Sequence, residues 1–394
     1  MLSSSHKDEL FGAIYMSVLF LLGAVHGLML TFLLVSKKVN QLSNRILAAL
    51  MMVFTIDLAM AAFLSVGLHQ GYPHVLGLDF SVTLLYGPLL YLYTETLIKG
   101  SERLSLAQKK HFIPFVLLTL YFLPFYFNSG EAKLDMMSES GELQYGSSWI
   151  THFKVVYSLA YLPFIIFELY KYRKRIRANY STLEKRNLDW LQGFVLAGTL
   201  LGITAGVLYT VSWFSDVLSE YTNFTLLAST IFVYSIGYMG LKQAEFFTPV
   251  ETAESNTKEH PEIETESYTR SGLDENLGKD LHQQLCALMG TEKPYLRSDL
   301  SLSELAGLMD ISSHHLTEVI NKYADESFYN FVNSYRIENV KRAIANPEFT
   351  NYTLLGIGLE SGFNSKSSFN SVFKKHTGLT PSQYKKSIDH QKEK

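Results

Sequence analysis

The chain has 394 residues, a formal net charge of −3, 47% hydrophobic residues and a single cysteine, Cys286. This length allows two or three domains. The net charge excludes a global attraction to nucleic acid, and one cysteine excludes an intrachain disulfide framework and suits a reducing compartment for its segment. These averages hide a division, because charged residues are sparse before about residue 242 and dense after it.

The N-terminal part contains seven apolar stretches, most of them long enough for a span of roughly 20 residues across the hydrocarbon core of a membrane. They occupy residues 11–36, 44–67, 75–98, 111–128, 150–170, 190–213 and 222–241. The fourth is short and contains Pro114 and Pro124. The first is too long for the core of a signal peptide, so we expect a retained helix. Together they predict a seven-helix transmembrane bundle over residues 1–242.

Basic residues between the stretches predict the orientation of this bundle. Lysine and arginine occupy alternate loops, at Lys37, Lys38, Arg45, then Lys99, Arg103, Lys109, Lys110, then Lys171, Arg173, Lys174, Arg175, Arg177, Lys185 and Arg186. The other loops contain only Lys133. The positive-inside rule then places the N-terminus outside and everything after the seventh stretch in the cytoplasm, as expected for a multi-pass protein of a bacterial inner membrane. The lipid bilayer is thus a predicted partner.

Ionisable residues inside these stretches are costly to bury, which makes them candidates for function. Asp57 lies in the second stretch, Asp79 in the third and Lys154 in the fifth. These three residues are the candidates for a ligand pocket or a relay between helices. The alternative, that they form polar pairs between helices or extend to water, stays open. His26 lies in the middle of the first stretch.

Residues 243–272 are polar and acidic, a composition that predicts a flexible linker. A coil of about 30 residues extends roughly 30 Å on average. The sequence that follows predicts the first helix of a soluble domain, ending at Gly290 before Pro294. The leucines that indicate this helix are Leu273, Leu277, Leu281, Leu285 and Leu288.

Between Ser301 and Lys386 one pattern occurs twice, and each copy predicts a helix, a turn and a second helix. The copies read SLSELAGLMDISSHHLTEVINKY and YTLLGIGLESGFNSKSSFNSVFKKH. Equivalent apolar positions are 52 residues apart in the first helices and 53 apart in the second helices, so the second turn has one extra residue. Ser301 with Glu304 predicts a capping box, and Ser312 and Ser365 are predicted caps. This arrangement can place its second helix in the major groove of DNA.

The segment from Leu273 to Ser387 resembles the DNA-binding domain of the AraC/XylS family of bacterial transcription regulators. The family's second motif is recognisable in ESGFNSKSSFNSVFKKHTGLTPSQYKK, and its first in ELAGLMDISSHHLTEVINKY followed by SFYNFVNSYRIENVKRAI. Two positions depart from it. Gly358 replaces the usual alanine, which softens its helix by roughly 1 kcal/mol, and Asp325 stands where glycine is common. The resemblance implies about seven helices with two helix-turn-helix units, binding to double-stranded DNA and recruitment of RNA polymerase.

We predict that the outward faces of the two second helices contact DNA. The residues are Ser313, His314, Thr317, Glu318 and Asn321 in the first unit, and Ser365, Lys366, Ser367, Asn370, Ser371, Lys374 and Lys375 in the second. Asparagine can form two hydrogen bonds with adenine, and lysine can reach guanine or phosphate. For each single residue, an ordinary solvated surface is the alternative. Seven lysines against two acidic residues from Phe363 onwards predict salt-dependent affinity centred on the second unit.

The sequence as a whole predicts an all-α membrane-embedded transcription regulator, in which residues 1–242 sense a signal and residues 273–387 bind a promoter, followed by a tail at 388–394. It contains no HExxH, P-loop, GxSxG or CxxC motif, so we expect neither an enzyme nor a cofactor. One alternative is a seven-helix receptor or transporter whose C-terminal domain binds protein partners. Another is a membrane enzyme that uses Asp57, Asp79 and His26. The small ligand or membrane signal, the operator, activation or repression, and homodimer formation stay open.

Overall fold

The computed structural model describes residues 4–136, 147–184, 186–212, 222–246, 274–349 and 351–392. These residues form helices and connecting turns, and no β-strand occurs among them, which confirms the all-α class. The predicted linker falls almost wholly on residues 247–273, outside the described residues, as does Lys185.

Contacts within the chain separate it into two compact units. One consists of Met1–Tyr170 and Leu188–Val250, and the other of Lys171–Asn187 and Glu251–Lys394. The segment 171–187 therefore packs with the C-terminal helices, although it lies between the fifth and sixth apolar stretches of the sequence.

The first unit is built from long apolar helices joined by short ones. Its helices, the tenth of which continues into the second unit, are α1 (Ser4–Ser36), α2 (Gln41–Ser65), α3 (Asp79–Val82), α4 (Tyr86–Lys99), α5 (Leu106–Lys109), α6 (Ile113–Tyr121), α7 (Leu123–Phe127), α8 (Gly130–Asp135), α9 (Ser147–Leu159), α10 (Leu162–Asn179), α11 (Asp189–Ser212) and α12 (Thr222–Phe246).

Five helical segments of the described chain are long and apolar enough to cross a membrane. They are Tyr15–Ser36, Gln41–Ser65, Pro73–Lys99, Ile150–Asn179 and Asp189–Leu208. These segments correspond to the first, second, third, fifth and sixth predicted stretches. The seventh stretch lies in α12, which has 25 residues but is not among the five.

The fourth stretch forms α6 and α7, of 9 and 5 residues, instead of one long helix. Pro114 and Pro124 each lie in the first turn of one of these helices. Proline lacks the N–H that a residue inside a helix donates, and its ring collides with the carbonyl four residues earlier. The helix is therefore divided at Phe122, where α6 ends and α7 begins.

Helices α1, α2 and α12 approach one another closely through small residues. Phe20 and Ala24 of α1 pack against Leu58 and Ala62 of α2. A Cβ atom added at Gly237 of α12 would lie 2.3 Å from a side-chain carbon of Leu30 in α1. Glycine at such a position lets two helix backbones approach, which increases the contact between their side chains.

The second unit contains seven further α-helices within its described residues, in agreement with the predicted number. They are α13 (Glu275–Thr291), α14 (Leu302–Leu308), α15 (Ser313–Val319), α16 (Phe328–Ala345), α17 (Leu354–Glu360), α18 (Lys366–Thr377) and α19 (Pro381–Lys392). A π-helical turn, Ile320–Ala324, follows α15. Helix α19 extends through most of the segment predicted as a tail, and α13 ends one residue beyond Gly290.

The predicted helix caps are present. The Ser301 hydroxyl accepts a hydrogen bond from the Glu304 N–H at 3.3 Å, and the Glu304 carboxylate accepts one from the Ser301 N–H at 2.8 Å. Ser312 and Ser365 cap α15 and α18 by accepting from backbone N–H groups at 3.1 Å. Each cap satisfies N–H groups that have no partner inside the helix, so these serines determine where the helices begin.

Helix α16 contributes to two hydrophobic cores. Phe328, Phe331 and Val332 belong to the core formed with α13, α14 and α15. Ile337 and Val340 belong to the core formed with α17 and α18. Because one helix is part of both cores, the two helix-turn-helix units are held at a fixed separation.

Gly358 of α17 lies directly against the ring of Phe369 in α18. An added Cβ atom would be 2.8 Å from Phe369 Cγ, at the rigid end of the side chain. The expectation that this glycine only softens its helix is therefore incomplete, because an alanine would force the phenylalanine to move.

We expect Gly358→Ala to lower the free energy of unfolding by about 1 kcal/mol, since overpacking costs about 1–3 kcal/mol and exceeds the roughly 1 kcal/mol gained in helix propensity. Pulse proteolysis of the protein in urea measures this change. The control is Gly307→Ala in α14, where nothing lies within 4 Å of the added Cβ. Equal stabilisation by both substitutions would contradict the role of the Phe369 contact.

Candidate nucleic-acid interface

The predicted DNA-contacting residues lie on the second helix of each helix-turn-helix unit, except for Ser365, which caps α18, and Asn321, which follows α15. The structure exposes His314, Asn321, Lys366, Ser367, Asn370, Ser371, Lys374 and Lys375, and half-buries Ser313, Thr317, Glu318 and Ser365. The opposite faces of α15 and α18 are buried through Leu316, Val319, Phe369, Val372 and Phe373. Each helix therefore presents one polar face to solvent.

Two of these hydroxyls already have partners. The Thr317 hydroxyl donates to the carbonyl of Ser313 at 2.8 Å, which turns it back onto its own helix. The Ser365 hydroxyl accepts from the Ser368 N–H as the cap of α18 and donates to the carboxylate of Glu184. Neither residue presents a free donor to solvent in this conformation.

Positive charge is concentrated on the second unit. Lys366, Lys374 and Lys375 are exposed on α18, whereas α15 contains no lysine or arginine. Partial loss of solvation and then the charges of Lys375 and Lys341 lower the pKa of His376 below its ordinary value. The C-terminal half of α18 therefore has a positive potential, which attracts phosphate.

Arg336 of α16 lies against the turn between α17 and α18, with its guanidinium carbon 5.8 Å from the centre of the Phe363 ring, and sequence analysis did not single it out. Its side chain is 1% exposed and donates to the carbonyls of Tyr295 at 2.8 Å and Arg297 at 2.7 Å. Burial lowers the pKa of Arg336 to about 10, so it remains charged at neutral pH. One feature of the sequence could have indicated that Arg336 is buried: it lies four residues from both Val332 and Val340, on the apolar face of α16.

The same turn contains Gly362 at φ +95°. A Cβ atom there would lie 2.3 Å from the Tyr295 carbonyl oxygen and 2.9 Å from Arg336 Nε. Only glycine satisfies both the backbone angle and this approach. Asp325, which stands where the resemblance expects glycine, also adopts a left-handed conformation, at φ 53°.

The structure brings together the three candidates in the apolar helices. Asp57 is within electrostatic range of Asp79 and Lys154, and its carboxylate accepts a hydrogen bond from the Tyr86 hydroxyl. Lys154 Nζ donates to the Phe80 carbonyl at 3.4 Å. His26 instead stacks on the ring of Tyr234, with ring centroids 3.8 Å apart. Their role as a ligand site or relay stays a prediction.

Comparison with known proteins identifies the C-terminal segment. A family model described as a helix-turn-helix domain matches residues 305–387, which include α15 to α18. This segment is an AraC-type helix-turn-helix domain. The resemblance to that family of transcription regulators, which are not enzymes, is thereby confirmed for the segment.

Relatives of the AraC-type domain occur in longer proteins. Uncharacterized HTH-type transcriptional regulators from Staphylococcus aureus strains COL and MSSA476 are each 34% identical to this chain over 109 residues. The match covers 28% of this chain and 14% of each relative.

Two solved structures are also similar to the AraC-type domain. A protein of unknown function from Listeria innocua is 28% identical, with 26% of this chain and 93% of that chain covered and a TM-score of 0.24. The C-terminal domain of AraT, a response regulator from Geobacillus stearothermophilus, is 23% identical, with 30% and 88% covered and a TM-score of 0.24.

Proposed function

We propose that this protein is a membrane-embedded transcription regulator that binds promoter DNA through both units of its AraC-type domain. The observation that carries the proposal is the pair of solvent-facing polar helices, α15 and α18, fixed relative to each other by α16. A rigid pair of this kind can enter neighbouring segments of the major groove. Recruitment of RNA polymerase to the bound promoter follows as a further part of the proposal.

The chemistry of the exposed residues suggests how the contacts are divided. Asn321 and Asn370 have the amide groups that bind adenine through two hydrogen bonds. Phosphate and guanine are bound by positively charged side chains, which α18 exposes at Lys366, Lys374 and Lys375. We assign phosphate contact to the lysines and base contact to the asparagines, and α18 contributes more to affinity than α15.

The helices of the first unit support membrane embedding. Large apolar side chains point outwards on several of them, including Phe32 at 73% exposure, Leu117 at 60% and Leu200 at 68%. Exposed apolar surface on this scale is unusual for a water-soluble protein and suits contact with lipid. The basic loops then orient the bundle with the N-terminus outside and the AraC-type domain in the cytoplasm.

Seven spans remain our proposal for the first unit. Besides the five segments of membrane length, the fourth stretch is almost continuously helical from residue 111 to Phe127, about 17 residues or about 25 Å. Helix α12 has 25 residues and packs against α1. With these two helices included, the number of membrane spans is odd. An odd number is required to place the N-terminus and the AraC-type domain on opposite sides of the membrane.

Signal coupling is proposed to act through the packing of these helices or through a homodimer. Asp57, Asp79 and Lys154 are the proposed site of the ligand or relay. A ligand shifts the population towards DNA binding only if it binds one arrangement of the helices more tightly than the other.

DNA binding is tested with the full-length protein in lipid nanodiscs and a duplex selected from a random library. We expect Lys366→Ala to weaken binding to all duplexes and to reduce the slope of log affinity against log salt concentration by about 1. Asn370→Ala should instead remove about 1–3 kcal/mol of discrimination at one base pair.

The control for both variants is Lys279→Ala, which removes an exposed lysine from α13, outside the predicted interface. It should leave affinity and specificity unchanged. The proposal is wrong if wild-type protein binds no duplex at low salt, or if all three variants behave alike.

A further inference from the structure

A short segment between the fifth and sixth apolar stretches enters the AraC-type domain. Ser181 is 1% exposed, and its N–H and hydroxyl donate to the Leu300 carbonyl at 3.2 and 2.7 Å. The Thr182 hydroxyl donates to the Ser298 carbonyl at 2.6 Å. Residues 180–184, which we call the docking segment, thus run alongside the chain that precedes α14.

The docking segment also satisfies buried polar groups of α16. The Ser181 carbonyl accepts from Arg336 Nη1 at 3.1 Å and from Asn333 Nδ2 at 3.2 Å. The Ser181 hydroxyl accepts from Arg336 Nη2 at 3.1 Å. Asn333 and Arg336 are each 1% exposed. Buried donors need such partners, so Asn333 and Arg336 form a polar site that the Ser181 carbonyl and hydroxyl fill.

The end of the docking segment reaches the second recognition helix. The Glu184 carboxylate accepts a hydrogen bond from the hydroxyl of Ser365, the cap of α18. A helix N-terminus is a favourable position for a phosphate of the DNA backbone. A carboxylate at that position would repel the phosphate and occupies the hydroxyl donor that could bind it.

We propose that the docking segment binds the AraC-type domain in competition with DNA and that its release is the step by which the apolar helices regulate DNA binding. The segment 171–187 is continuous with the fifth and sixth stretches, so a rearrangement of those helices changes its position. Competition rests on the proposed DNA-binding function, whereas docking itself does not.

Docking is measured without DNA by hydrogen–deuterium exchange of the full-length protein in nanodiscs. We expect the Ser181 amide to be protected in wild-type protein, and its protection to fall when the selected duplex is added. The double variant Ser181→Ala/Thr182→Ala removes the hydroxyl contacts but no backbone group, and it should reduce the protection without DNA.

Competition is measured by the affinity of Glu184→Lys for the same duplex. If undocking raises the binding-competent fraction from about a tenth to nearly all molecules, affinity rises about tenfold. The matched control is Glu102→Lys, which makes the same change of charge at an exposed residue in the loop before α5. A greater gain for Glu184→Lys than for Glu102→Lys supports the proposal when the charge-neutral Ser181→Ala/Thr182→Ala variant also gains affinity, because a lysine beside α18 attracts phosphate even without undocking.

The possible failures are distinguishable. An unprotected Ser181 amide in the free wild-type protein overturns docking. Equal affinities of the two lysine variants, or protection that the duplex leaves unchanged, overturn competition. If no form binds any duplex while the amide is protected, the proposed function and the competition fall together, and docking alone is supported.

Discussion

Replacing Arg336 by methionine should lower the free energy of unfolding of the AraC-type domain by about 3–4 kcal/mol. Methionine fills much of the same volume but donates no hydrogen bond. The Tyr295 carbonyl then loses a charged donor in a buried position, and the Arg297 carbonyl loses one in a part-buried position. Each unsatisfied group costs about 1–3 kcal/mol. Arg336→Lys should recover little, because a single ammonium cannot replace a planar group that donates in several directions.

The matched control for this prediction lies on the same helix. Arg342 is exposed, and its Nε donates to the Glu338 carbonyl of its own helix at 3.4 Å. Arg342→Met should change the free energy of unfolding by less than about 0.5 kcal/mol. Pulse proteolysis in urea, following the C-terminal fragment, compares the two variants, and similar losses would show that the buried network contributes nothing.

Gly362→Ala should destabilise the second helix-turn-helix unit by about 3–5 kcal/mol, from backbone strain of about 1–3 kcal/mol and overpacking of similar size. The residue has φ +95°, and the added Cβ would lie 2.3 Å from the Tyr295 carbonyl oxygen. The added Cβ meets the backbone of Tyr295, which cannot move away as the end of a flexible side chain can. The collision also moves the segment that holds Arg336, so DNA affinity should fall with stability.

Gly378→Ala separates strain from collision. Gly378 ends α18 at φ +77°, and nothing lies within 4 Å of an added Cβ. Gly378→Ala should therefore lower the free energy of unfolding only by the cost of a left-handed backbone conformation, about 1–2 kcal/mol. The same denaturation experiment measures both variants. If Gly378→Ala cost as much as Gly362→Ala, the approach of Tyr295 would have no energetic role.

The sequence by itself determined the features that depend on neighbouring residues. Ser301, Ser312 and Ser365 begin helices in the structure because each cap bonds an N–H only three residues away. The outward placement of Lys366 and Asn370 follows from helical periodicity, since Phe369 and Phe373 occupy the buried face. Pro114 and Pro124 were visible signals for the division of the fourth stretch, although the stretch was predicted as one span.

Tertiary structure alone decided the features that depend on distant backbone. Ser181 and Arg336 are 155 residues apart in the chain, and Glu184 and Ser365 are 181 apart. The acceptors around Arg336 are mostly backbone carbonyls, which every residue type has, so no side-chain pattern marks them. Gly358 is a second case that sequence alone could not predict. Its helix propensity depends only on the residue itself, but the ring of Phe369, which leaves no room for a Cβ atom, comes into contact with it only in the folded domain.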